Sequence, residues 1–127
     1  MQEIKKVTVK VPQIYLDLVN QIFEIEKKST NIKEDNSIQR NITRIKGLIE
    51  EGLLGSNSFT THNPIGETYN ETRGDCDATI SGEGIENLEI IDVLKPIIFY
   101  TYQENEKNLK VIVQQAVVIV QSKNIHQ

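Results

Sequence analysis

Residues Lys6-Val7-Thr8-Val9-Lys10-Val11 alternate polar and apolar side chains, and Pro12 closes the run. In an extended backbone successive side chains point to opposite faces, so the three valines share one side and Lys6, Thr8 and Lys10 the other. Pro12 has no backbone donor and suits the first turn of a helix, so a strand is expected to stop there and a helix to begin. A lone strand this short is not stable, because its backbone edges and its valine face both need a partner. The simplest partner is the same strand of a second subunit.

From Gln13 to about Lys27 the residues Ile14, Tyr15, Leu18, Val19, Ile22, Phe23 and Ile25 recur at spacings of three and four, with Asp17, Asn20, Gln21 and Glu24 opposite. That spacing predicts an amphipathic helix. Ile38, Ile42, Ile45, Leu48 and Ile49 repeat it after a polar interval, with Asp35, Asn36 or Ser37 as N-cap and Gly52 past the end. Gly47 inside this second run costs about 1 kcal/mol relative to alanine, a cost that a close helix crossing would explain.

The order of strand, Pro12, Gln13-Ile14-Tyr15-Leu16-Asp17-Leu18-Val19 and a second helix from Asn36 to Gly52 resembles the ribbon-helix-helix DNA-binding proteins of the Arc, MetJ and CopG type. The resemblance covers roughly the first two fifths of the chain. It implies a homodimer whose paired strands form a ribbon in the major groove of double-stranded DNA. It also implies that Lys6, Thr8 and Lys10 contact base edges, and that the start of the second helix holds a phosphate near Asn36, Ser37 and Ile38.

The formal net charge of -4 is unevenly spread: residues 1–55 carry nine Lys/Arg and eight Asp/Glu, residues 56–127 five and ten. DNA contact is therefore expected only in the N-terminal half, and only where lysines gather on one face. One cysteine excludes an internal disulfide framework, and no apolar run reaches the roughly 18 residues that span a membrane. The charged N-terminus lacks a signal-peptide core, which leaves a cytoplasmic protein as the expectation.

Past Leu53 the pattern changes. Residues 55–76 read as a linker or long loop, with turns at Asn63-Pro64, Gly66 and Arg73-Gly74-Asp75. Beyond them, Ala78–Ser81, Leu88–Leu94, Ile97–Gln103 and Leu109–Val120 read as strands. Pro96 interrupts one ladder, residues 104–108 form a hairpin-like loop, and Gln114-Gln115 shifts the alternation of the last run, as a bulge or a break into two strands would. The expected class is α+β, with a ribbon-helix-helix dimerisation domain over 1–54, a linker over 55–76 and a small, mainly antiparallel β-domain over 77–127.

Candidates for chemistry are few. Cys76 lies between Asp75 and Asp77 with His62 fourteen residues earlier, but no second Cys or His stands at a ligand spacing, so neither a metal nor any cofactor is expected. Glu83 and Glu86 flank a turn, where charged residues are ordinarily just solvated. Phe99, Tyr100 and Tyr102 are explained by packing and strand propensity more cheaply than by base stacking. No catalytic residues are assigned and no enzyme is expected. The sequence reading is a dimeric, sequence-specific DNA-binding regulator with a C-terminal sensing or oligomerisation domain. Its alternative is a non-enzymatic structural or protein-interaction component, for instance a viral assembly or host-inhibiting protein, in which the N-terminal segment only dimerises.

Overall fold

The computed structural model describes residues 11–31, 37–50 and 57–123. Two helices, α1 (Gln13–Ser29) and α2 (Ser37–Glu50), precede seven strands: β1 (Ser58–His62), β2 (Thr68–Tyr69), β3 (Cys76–Ser81), β4 (Leu88–Lys95), β5 (Ile97–Glu104), β6 (Lys107–Gln114) and β7 (Ala116–Ser122). The helices and a three-stranded sheet of order β1-β5-β6 fall in one compact unit, and a four-stranded sheet of order β2-β4-β7-β3 in a second. The chain passes between the units after Thr60, Ile98 and Val113.

In the first unit α1 starts as Pro12 dictates. Pro12 holds the cap position at φ -58° and ψ 133°, and Tyr15 N–H donates to its carbonyl at 3.1 Å. Lys27 and Lys28 in the last turn complement the helix dipole. Ser29 Oγ donates to the Glu26 carbonyl, which also accepts from Thr30 N–H, and Thr30 Oγ1 donates to the Lys27 carbonyl at the open end of the helix. Helix α2 runs antiparallel beside α1: Gln39 Nε2 reaches Ser29 O at 3.3 Å, and Lys46 Nζ pairs with Glu26 at 3.1 Å. Leu16, Val19, Ile22 and Phe23 of α1 and Ile42 and Ile49 of α2 are buried. The β5–β6 connection is the two-residue turn Asn105-Glu106, both at positive φ (51° and 65°), the backbone that matches the twist of paired strands.

In the second unit β7 is central. It pairs antiparallel with β4 (Ile90↔Val120, Val93↔Val118) and parallel with β3 (Cys76↔Ala116 through Ser81↔Gln121). Its side chains alternate strictly, with Ala116, Val118, Val120 and Ser122 buried, as a strand with one dry face requires. Strand β4 keeps Leu88, Ile90 and Val93 inside only by two register shifts, between Ile90 and Asp92 and between Val93 and Lys95. Each bulge re-phases the strand, and Ile91 and Leu94 are left exposed at those positions.

These observations correct the ribbon-helix-helix resemblance and the fold class that rested on it. Two helices followed by seven strands in two sheets make the described chain mainly β, and among the described residues there is no N-terminal ribbon-helix-helix arrangement. The physical reason lies on α1. The resemblance needed a second subunit to cover its apolar face, but Tyr15 stacks on Phe59 of β1 (ring centroids 5.7 Å apart), which packs on Tyr100 of β5 (5.1 Å). The chain's own strands take up part of that face. The β-rich half, expected as mainly antiparallel, pairs β2 with β4 and β4 with β7 antiparallel and contains one parallel pair, β3 with β7. Residues 55–76, expected as linker or loop, hold β1 and β2. The break at Gln115 and the interruption at Pro96 do fall between strands, β6/β7 and β4/β5.

Two glycines behave oppositely. A Cβ on Gly84 would overlap Ser122 Cβ and lie 2.8 Å from Ser122 Oγ, whereas one on Gly47 would meet nothing within 4 Å, so no close helix crossing explains Gly47. Ser122 cannot swing away freely, because its Oγ donates to Glu86 O at 2.6 Å. Gly84→Ala is expected to destabilise the protein by about 1–3 kcal/mol through overpacking, and Gly47→Ala to stabilise it by about 0.5–1 kcal/mol. Urea unfolding of the two variants checks both signs.

Candidate functional site

Two features of the described chain go beyond folding requirements. The first is a chain of charged groups in the second unit, where the turns between β1 and β3 fold back on themselves. Asn63 and Asn70 side chains accept from the backbone N–H groups of Ile65 and Thr72, shaping two tight turns. These bring Arg73 between two carboxylates: its NH2 donates to Glu67 Oε1 at 2.7 Å and its Nε to Asp75 Oδ1 at 2.6 Å, while NH1 donates to Thr68 O at 3.0 Å. His62 Nε2 meets the other Glu67 oxygen at 2.5 Å.

Partial burial raises the Glu67 and Asp75 pKa values. Hydrogen bonds and attraction from Arg73, joined by His62 at Glu67, outweigh it and hold both carboxyls below their ordinary range. Arg73 is raised in turn, chiefly by its bond to Asp75. Cys76 is buried, and burial, reinforced by the adjacent Asp75 charge, pushes its thiol up to about 11. A thiol so protonated is a poor nucleophile and a poor metal ligand. The tripeptide Arg73-Gly74-Asp75 presents neither charge outward, because its ends are paired with each other. Among the described residues no group of three or more His, Cys, Asp or Glu is placed to hold a metal ion. The arrangement can therefore pin the β1–β3 turns.

The second feature is on the helical hairpin. Ile14, Leu18 and Ile25 of α1 and Ile38, Ile45 and Leu48 of α2 stay between 44% (Ile45) and 72% (Ile14) exposed. On a helix of 3.6 residues per turn, the α1 trio falls within about 40° and the α2 trio within about 80°. Each row lies beside the residues that face the other helix, on the side of decreasing wheel angle. Antiparallel helices have mirrored wheels when viewed from one end, so both rows emerge on the same side of the hairpin. Tyr15, which meets Phe59, falls inside α1's buried arc and outside the exposed row. The remaining exposed apolar residues, Ile65, Ile80, Ile85, Ile91 and Leu94, are spread over two turns, β3 and the irregular positions of β4.

Of the residues expected to contact DNA, Lys6, Thr8, Lys10 and Asn36 lie outside the described residues; Ser37 and Ile38 open α2, both exposed. The sequence signal for the hairpin surface was present in the width of the apolar arc. Periodicity marks Ile14, Leu18 and Ile25 as core together with Val19, Ile22 and Phe23, and does not say that one partner can cover only half of them. For the charged chain the signal was the alternation of sign along His62, Glu67, Arg73 and Asp75, which turn chemistry had to bring together.

No protein-family model, no curated protein and no solved structure matches the chain. No helix among the described residues is long and apolar enough to cross a membrane.

The pKa shifts set the pH dependence of stability. Glu67 and Asp75 have folded values below their unfolded ones of about 4.5 and 3.8, so their contribution is present above that range and lost as pH falls through it. Cys76 has a folded value above its unfolded 9.0, so its contribution is present below pH 9 and lost between about 9 and 11. Arg73→Met is expected to lower stability at neutral pH and flatten the acid limb, and Cys76→Ala to flatten the alkaline limb. Thermal midpoints measured across pH check each slope separately.

Proposed function

We propose that this protein is a non-enzymatic interaction component, a structural or assembly module that works through the outer face of the α1–α2 hairpin. The observation that carries this reading is the pair of half-exposed apolar rows on one side of two packed helices. Single exposed leucines are ordinary on any surface, but six grouped Ile and Leu side chains are not. Half-exposure of six such residues leaves roughly 600 Å² of apolar surface, at the upper end of what monomers show. Covering it is worth on the order of 15 kcal/mol before association costs of about 4–15 kcal/mol, enough for binding where a scattered residue would contribute nothing measurable.

A DNA-binding role drew on the ribbon-helix-helix resemblance, which the fold overturns, and on Lys6, Thr8 and Lys10, which lie outside the described residues.

The reading is tested by Leu18→Lys combined with Leu48→Lys in the full chain. Because both positions are about half exposed, far-UV circular dichroism and the thermal midpoint are expected to stay near those of the unmodified protein, while binding of a hydrophobic dye and any self- or partner association are lost. A double variant that unfolds would mean the chain itself covers this face, and the reading would fall.

A further inference from the structure

Resting on the reading just given, we infer that the occupant of the hairpin face is a second copy of this chain, packed face to face so that α1 of one protomer lies over α2 of the other. The argument is charge complementarity at the borders of the apolar rows. On α1 the outer border carries Asp17, Glu24 and Lys28 and is net acidic; on α2 it carries Arg40 and Arg44. A two-fold axis parallel to the helices exchanges left for right and preserves height along the hairpin. It therefore sets the acidic edge of each protomer opposite the basic edge of its partner.

The register within one hairpin fixes which residues meet. Gln39 contacts Ser29, and Lys46 contacts Glu26, so residues whose numbers sum to about 70 lie at the same height. In the pair, Ile25 then faces Ile45 of the other copy, Leu18 lies near Leu48, and Glu24 lies near Arg44. Lys28 and Arg40 come close about one helical turn away and oppose this attraction, so Glu24 with Arg44 is the favourable contact on which the pairing rests. The axis repeats it twice. An axis perpendicular to the helices in the same plane would instead put like edges together. Two hairpins meeting this way cover roughly 1,200 Å², above the approximately 1,000 Å² that a specific interface needs, and form a four-helix layer.

Sedimentation velocity of the full chain over a wide concentration range, at low and moderate salt, tests the inference alongside dye binding. The expected result is a reversible dimer. Glu24→Arg alone and Arg44→Glu alone should each weaken it roughly tenfold, less at higher salt, and the two changes together should restore it. Leu18→Lys with Leu48→Lys should leave only monomer. A dimer indifferent to those lysines, or single charge changes that the double change does not repair, overturns this pairing. A protein that stays monomeric at every concentration yet binds dye on the hairpin overturns self-pairing while leaving the interaction reading intact. A monomer that binds no dye overturns both.

Discussion

Strand β7 is bonded on both sides, antiparallel to β4 and parallel to β3, and the second unit depends on that double pairing. A parallel pair cannot be joined by a tight turn, so between β3 and β7 the chain must leave the sheet and return. On the way it lays down β4 in the same sheet and leaves it for the β5–β6 hairpin. The return is controlled closely. Gln115, the single residue between β6 and β7, donates through Nε2 to Gly74 O, and Ala116 N–H donates to Asp75 O, so β7 is set against the entry of β3 from its first residue. The Arg73 chain lies immediately upstream and holds the same entry from the other side.

Much of the strand pattern was legible in the sequence, because it depends on local chemistry. Alternation in Ala116-Val118-Val120, the missing donor of Pro96 and the turn-forming Asn105 each act within a few residues, and each fell where an element boundary is observed. The parallel pairing of β3 with β7 was not legible, since alternation reports which face is buried and not which neighbour runs alongside. Strands β1 and β2 were hidden for another reason. Ser58-Phe59-Thr60-Thr61-His62 is mostly polar, and only Phe59 is fully buried, so little apolar periodicity exists to find.

The helices show the opposite failure. Their positions were readable from spacing, but what covers them was not. A strand, a proline and two amphipathic helices are compatible with more than one partner for the helix faces. The choice is made by Phe59, a residue that no pattern within the helices points to. Its stacking on Tyr15 and Tyr100 commits one face of α1 to the chain's own sheet and leaves the second apolar row outside. Both the fold correction and the candidate surface follow from that aromatic contact.

The parallel register also has a consequence for how the protein is made. Cys76 pairs with Ala116, about forty residues later, so during synthesis β3 leaves the ribosome long before its neighbour exists. Strand β4 waits likewise, although β2 is already available on its other side. Until β7 emerges, the backbone edges of β3 and β4 that it will pair stand open in the nascent chain. The sheet therefore closes in one late step, with the slow, non-local character of high contact order. Crowded or overloaded translation is where this chain is most exposed to aggregation, and a chaperone that shields β3 and β4 for the time needed to make those forty residues would act at the decisive point.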